Sequence, residues 1–149
     1  MIDEEKLYAV AKTYVGTPHI NRGDVKGAGL DCCTLPAHIF KEIMGLDARI
    51  SFNYSADWYC QRNCKEILLP YLQTYCNEVT DLRVGDVLSY RWGRAKYAHL
   101  AVYLGGGRVI HCSADHGTEI TEINSPCFID GRGESRRTGI WRLKNGLSD

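Results

Sequence analysis

Residues 98–112 read AHLAVYLGGGRVIHC. Two alternating apolar runs on either side of three glycines are the signal of a β-hairpin. A three-residue loop over 105–107 pairs Leu104 with Arg108. It then sets His99 opposite Ser113 and Ala101 opposite His111. Opposed residues share a sheet face, so His99 and His111 become diagonal neighbours with Cβ atoms about 7 Å apart. A two-residue loop would put the two imidazoles on opposite faces, because a one-residue slip inverts every side chain.

Outward from the hairpin, DVLSYRW (86–92), TEITEI (118–123) and GIWRL (139–143) read as further short strands between turn residues. The first half of the chain has a helical period instead. Asp3 caps a helix whose apolar stripe is Leu7, Val10, Ala11, Tyr14 and Val15, ended by Gly16 and Pro18. A second helix runs to about Met44 with Leu35, Ile39, Phe40 and Ile43 inward. A third helical region is predicted over 55–75, interrupted before Pro70. Cys60, Cys64, Ile67, Leu68, Tyr71 and Tyr75 share one of its faces, so both cysteines are expected as buried structural thiols. Helices first and an antiparallel sheet afterwards predict one α+β domain over 1–149, with N-terminal helices packed on one face of a central antiparallel sheet.

The 18 basic and 18 acidic residues cancel, so no global field argues for nucleic acid or an anionic membrane as partner. No apolar run approaches the roughly 20 residues that span a bilayer. The N-terminus MIDEEKLYAV lacks a basic and then apolar leader, and the expectation is a soluble product of the cytoplasm without a signal peptide. Seven cysteines in 149 residues, without an export signal, are expected as reduced thiols.

Two of them stand together in AGLDCCTLPAHIF (28–40), at a helix start. Pro36 lacks an N–H, so the helix begins near Thr34 as N-cap, or begins at Asp31 with a distorted first turn. Periodicity does not separate the pair: Cys32 leads to Leu35 and Ile39, Cys33 to Ala37 and Phe40. A thiol at a helix N-terminus and two imidazoles on one sheet face are the parts of a thiol nucleophile system. One histidine serves as base, the other orients it, and backbone N–H groups of the helix start hold an oxyanion. No close-spaced pair of ligand pairs is present, so neither a metal nor a cofactor is expected. His38 in the second helix and His116 in a polar turn read as structural or solvent-facing, and Cys112 points away from the His111 face. Arg132, Arg136 and Arg137 read as a solvated cluster, with contact to substrate carboxylates as the second reading. Cys76 and Cys127 carry no assigned role.

In order along the chain, VGTPHINRG…GLDCCTLP, LRVGDVLSY and AHLAVYLGGGRVIHC resemble the signature blocks of the NlpC-type peptidoglycan cysteine endopeptidases, of the papain-like superfamily. The resemblance runs from about Ala11 to Leu143. It implies Cys32 as nucleophile, His99 as base and His111 as the orienting third member. It also implies substrate-binding roles for Asp31, at the stem peptide's amino end, and for His19 and Cys33. His19 stands where many relatives carry Tyr, Cys33 where they carry Ser, and Thr34 where they carry Gly. The implied substrate is a peptidoglycan stem peptide, cut between D-glutamate and a diamino acid. VKGAGLDC and GDVL look most like the compact phage and prophage branch, which implies a tail-associated virion component with other tail proteins as partners. An amidase or acyltransferase on the same Cys–His site, and a tail-tip module without turnover, are the alternatives.

Overall fold

The computed structural model describes residues 2–145, and the extreme ends of the domain expected over 1–149 lie outside them. Three helices, α1 (Glu4–Lys12), α2 (Thr34–Met44) and α3 (Leu68–Tyr75), precede most of the sheet. A two-stranded ribbon, β1 (Asp24–Val25) with β2 (Gly29–Leu30), lies between α1 and α2. Six strands then form one antiparallel sheet: β3 (Cys76–Val79), β4 (Val87–Trp92), β5 (Ala95–Gly105), β6 (Arg108–Ser113), β7 (Gly117–Glu122) and β8 (Arg137–Leu143). Their spatial order is β3-β8-β4-β5-β6-β7. The expected α+β fold is the observed one.

Both faces of the sheet are covered. Alternation along β5 and β6 sends Leu100, Val102, Ile110 and Cys112 toward the helices, where they pack with Leu7, Leu35, Ile39 and Leu72. Leu88, Tyr90, Ala101 and Val109 point the other way, and Phe128, on a 3₁₀ turn over Pro126–Phe128, closes that second core. His99 and His111 belong to this second face, and Cys112 to the first, as the alternation predicts.

The central hairpin reaches the expected register by a different route. Gly105 pairs with Arg108, leaving a two-residue turn at Gly106 and Gly107 whose φ values of 61° and 75° are those such a turn demands. A bulge between Tyr103 and Gly105 then shifts the ladder by one residue, so that Ala101 still faces His111. Gly105 carries this bulge at φ 91°, and a Cβ there would sit 2.8 Å from the Glu4 carboxylate. The short loop alone would have separated the histidines; the bulge restores them to one face.

Two helical expectations are corrected. α1 ends at Lys12 and continues as turns to Gly16, so Tyr14 stays buried while Val15 is turned out, 50% exposed. Residues 55–75 are not one interrupted helix. A 3₁₀ turn (Trp58–Cys60) and the left-handed Asn63 (φ 63°) precede α3, which holds Pro70 in its first turn. Cys60 is therefore exposed and Cys64 half-buried, rather than both being core thiols. β3 is an additional edge strand that pairs with β8.

Replacing Gly105 with Val should remove the bulge's only comfortable conformation. A urea unfolding curve is expected to show a loss of about 1–3 kcal/mol relative to the parent chain.

Candidate active site

Asp31 is 3% exposed, and both its carboxylate oxygens are engaged. Oδ1 accepts from the backbone N–H groups of Cys33 and Thr34, each at 2.9 Å. Oδ2 accepts from Arg22 N–H at 2.8 Å and from the Tyr54 hydroxyl. In return Asp31 N–H donates to Thr34 Oγ1 at 2.9 Å, a reciprocal capping box. Leu35 N–H reaches Asp31 O at 3.1 Å, so the first turn of α2 effectively springs from Asp31. Pro36 cannot donate to the Cys32 carbonyl, which is why regular helix is established only from Thr34. Cys32 is left at the lip of the helix, half-exposed, and its N–H has no partner among the described residues.

The Cys32 sulfur lies 3.8 Å from the carbonyl of Ala98, the residue before His99. It makes no hydrogen bond to either imidazole among the described residues. Its nearest polar neighbour is the Cys33 sulfur at 3.6 Å. That hydrogen bond and burial raise the Cys33 thiol well above its ordinary range. Cys33 thus stays protonated and able to donate toward its neighbour, and the vicinal thiols are chemically distinct.

His99 Nε2 is 2.9 Å from His111 Nδ1, and His111 Nε2 is 2.9 Å from Glu119 Oε2. A carboxylate only accepts, so His111 must carry its proton on Nε2. His111 Nδ1 is then an acceptor, and His99 must donate from Nε2. The chain of three leaves the lone pair of His99 on Nδ1. Glu119 is supplied by the β6–β7 hairpin, whose register sets it directly opposite His111.

Around these imidazoles the environment is apolar. Trp92 meets His99 edge-on at 4.9 Å between ring centroids, and Phe128 lies 4.9 Å from His111. Burial, followed by the neighbouring His111 and His19, drives His99 well below its ordinary 6.5. Burial also lowers His111, against the opposing pull of Glu119. Both histidines are neutral at pH 7, and His99 is kept as a free base.

The structure therefore brings Cys32, His99 and His111 to one end of the β5–β6 hairpin, with His19 held beside Leu30 by a short parallel bridge. Two residues expected at the substrate are withdrawn from solvent. Asp31 is buried with both carboxylate oxygens hydrogen-bonded, and Cys33 is 2% exposed in the core. His38 pairs with Asp24 at 2.7 Å, and His116 is exposed near Glu119. Arg136 lies over the Trp92 ring at 5.4 Å.

Glu119 and Tyr54 were missed in the sequence. The same hairpin arithmetic, with Ser113 paired to Gly117, finds Glu119; Tyr54 sits in a loop with no local signature. A cavity of about 170 Å³ is lined by Thr34 of the first turn of α2, by Tyr54, and by the charged residues Arg22, Asp24 and Arg49.

A model described as the NlpC/P60 family matches residues 16–132. Among solved structures, the NlpC/p60 domain of the peptidoglycan hydrolase SagA aligns over 95% of this chain and all of its own, at 17% identity and TM-score 0.63. An NlpC/P60 family protein from Bacillus cereus aligns over 95% of this chain and 40% of its own (22% identity, TM-score 0.60). A lipoprotein-like NLP/P60 protein from Staphylococcus aureus does so over 95% and 42% (19% identity, TM-score 0.62). The chain thus spans the whole of the first and less than half of the other two. A search among curated protein sequences returns no match.

The depressed His99 couples folding to pH. The unfolded chain takes up this proton near the ordinary 6.5, the folded one only well below it, so the unfolded state binds more protons in between. Stability should hold above 6.5 and decline as pH falls through that window. Thermal melts of the parent should show the decline, with a shallower slope for His99→Gln.

Proposed function

The chain belongs to the NlpC/P60 family, a family of peptidoglycan-hydrolysing cysteine endopeptidases, and on that premise we propose that Cys32 is its nucleophile, His99 its base and His111 the orienting member. The observation that carries this reading is the Glu119–His111–His99 order of proton donors, which leaves a basic Nδ1 on the residue following Ala98, the carbonyl nearest Cys32.

The reaction is amide hydrolysis through a thioester. His99 Nδ1 takes the Cys32 proton as the sulfur attacks the carbonyl carbon. The imidazolium so formed donates from Nε2 to His111, whose own Nε2–H leans on the Glu119 carboxylate. Its positive charge is thereby offset inside an apolar shell. The developing oxyanion meets the unpartnered N–H of Cys32 at the positive end of α2. His99 then protonates the leaving amine and, in the second half, draws a proton from the water that cleaves the thioester.

Stem peptides are the substrate on this reading, cut at the D-γ-glutamyl–diamino acid bond. Their carboxylates would meet Arg22 and Arg49 in a cavity whose one acid, Asp24, is paired with His38. His19, bridged to Leu30 just before the cysteine pair, is the further substrate contact on this reading. Asp31 and Cys33 serve as positioning residues. The resemblance of VKGAGLDC and GDVL to phage and prophage relatives supports a place in a tail, where local wall opening accompanies DNA entry. Other tail proteins would then be its partners.

Incubation with purified muropeptides, followed by mass spectrometry of the new termini, tests both activity and bond. Cys32→Ala and His99→Ala are each expected to lower turnover by at least ~10³-fold. Retained cleavage in either variant sinks the assignment. Glu119→Ala should lower kcat by about ten- to a hundredfold with KM little changed, since it acts by orienting an imidazole from behind.

A further inference from the structure

The face of His111 turned away from His99 holds more than one potential ligand. A His111 ring nitrogen, a Glu119 carboxylate oxygen and Cys127 Sγ all lie within 4.8 Å of one another, and Nε2 is the nitrogen that meets Glu119, at 2.9 Å. They come from separate elements: β6, β7 and the 3₁₀ turn that carries Phe128. His116 Nδ1 stands 3.7 Å from Glu119 Oε2 and is solvent-exposed. A tetrahedral zinc holds N, O and S ligand atoms about 3.3–3.8 Å apart, so side-chain shifts of an ångström or so gather the three. Imidazole, carboxylate and thiolate together are a borderline-soft set suited to zinc rather than to magnesium or calcium. Access exists through Glu119, whose side chain is 31% exposed. The buried Tyr90 hydroxyl has no partner among the described residues.

We propose that His111, Glu119 and Cys127 form a zinc-class divalent metal site that switches the peptidase off from behind its base. The fourth position belongs to His116 or water. The inference rests on the catalytic roles proposed above for Cys32, His99 and His111. Metal at His111 Nε2 displaces the proton held there and moves Glu119 from proton acceptor to ligand. Neutral His111 then carries its proton on Nδ1, taken from His99 Nε2 across their 2.9 Å hydrogen bond. His99 is left accepting through Nε2 and regains a proton from solvent on Nδ1, the atom that must receive the Cys32 proton. Charge on the two rings is unchanged, and the displaced Nε2 proton is made up at His99. The Cys127 thiol releases its proton to buffer as it binds. The metal touches neither the Cys32 sulfur nor the His99 ring, yet the base is in the wrong tautomer.

Cobalt(II) is the probe, added to the full-length Cys32→Ala protein so that the nucleophile cannot ligate it. A thiolate-to-cobalt charge-transfer band is expected, reversed by zinc and absent when Cys127→Ser is added. In the active protein, zinc should inhibit muropeptide cleavage, and Cys127→Ser should need at least about tenfold more zinc while keeping its metal-free rate. Cys127→Ala, with matched thermal melts, guards against a folding defect in the serine variant. A cobalt band unaffected by either Cys127 substitution overturns the site. Unchanged zinc sensitivity in a folded Cys127 variant overturns the switch. If the chain cleaves no muropeptide but keeps a Cys127-dependent cobalt band, the metal site stands and the peptidase reading fails.

Discussion

A buried carboxylate governs the architecture of this protein. Asp31 is almost wholly withdrawn from water, and its anion is tolerable only with hydrogen-bond donors on both oxygens. Four groups supply them: the N–H groups of Arg22, Cys33 and Thr34, and the hydroxyl of Tyr54. They belong to the loop after α1, the first turn of α2 and the segment before the 3₁₀ turn at Trp58. Removing one donor from a buried charge is expected to be far more damaging than removing an exposed pair. The geometry of the helix lip at Cys32 is a by-product of that requirement, because the residues that flank the thiol are pinned by their backbone.

The second constraint is directional. Two consecutive hairpins place His99, His111 and Glu119 in a line, and a carboxylate at its far end leaves one consistent arrangement of protons. The apolar shell of Trp92 and Phe128 keeps both rings uncharged at rest. Hydrogen-bond polarity thus comes from strand register, and the uncharged resting state of the rings from burial.

How far these features could be read in the sequence follows from the range over which each is determined. The shared face of His99 and His111 was legible because strand period and turn length are local, although the loop was read as three residues and is two plus a bulge. The bulge depends on Gly105 at φ 91° against Glu4, a contact across most of the chain that no local pattern encodes. Glu119 was legible in principle by the same pairing rule. Tyr54, by contrast, reaches Asp31 from an irregular segment. The 55–75 region misled because helical spacing of apolar residues can recur by chance across turns. Asn63 in a left-handed conformation breaks the period and turns Cys60 outward. Asp31 and Cys33 were read as substrate contacts from family position alone, and only three-dimensional burial separates them from Cys32.

Trp92 gives the site an optical character. Its ring centre lies 4.9 Å from that of His99, with the Arg136 guanidinium 5.4 Å from the indole centre. Trp58 and Trp141 instead meet tyrosines, Tyr59 and Tyr97. A protonated imidazole in contact with indole quenches its emission far more than a neutral one. The ring that shelters His99 is thus also a built-in fluorophore for its charge. On the proposed mechanism, each turnover should pass through a brief darkening while His99 holds the proton of Cys32, so the chemical step can be timed by its light without a labelled substrate.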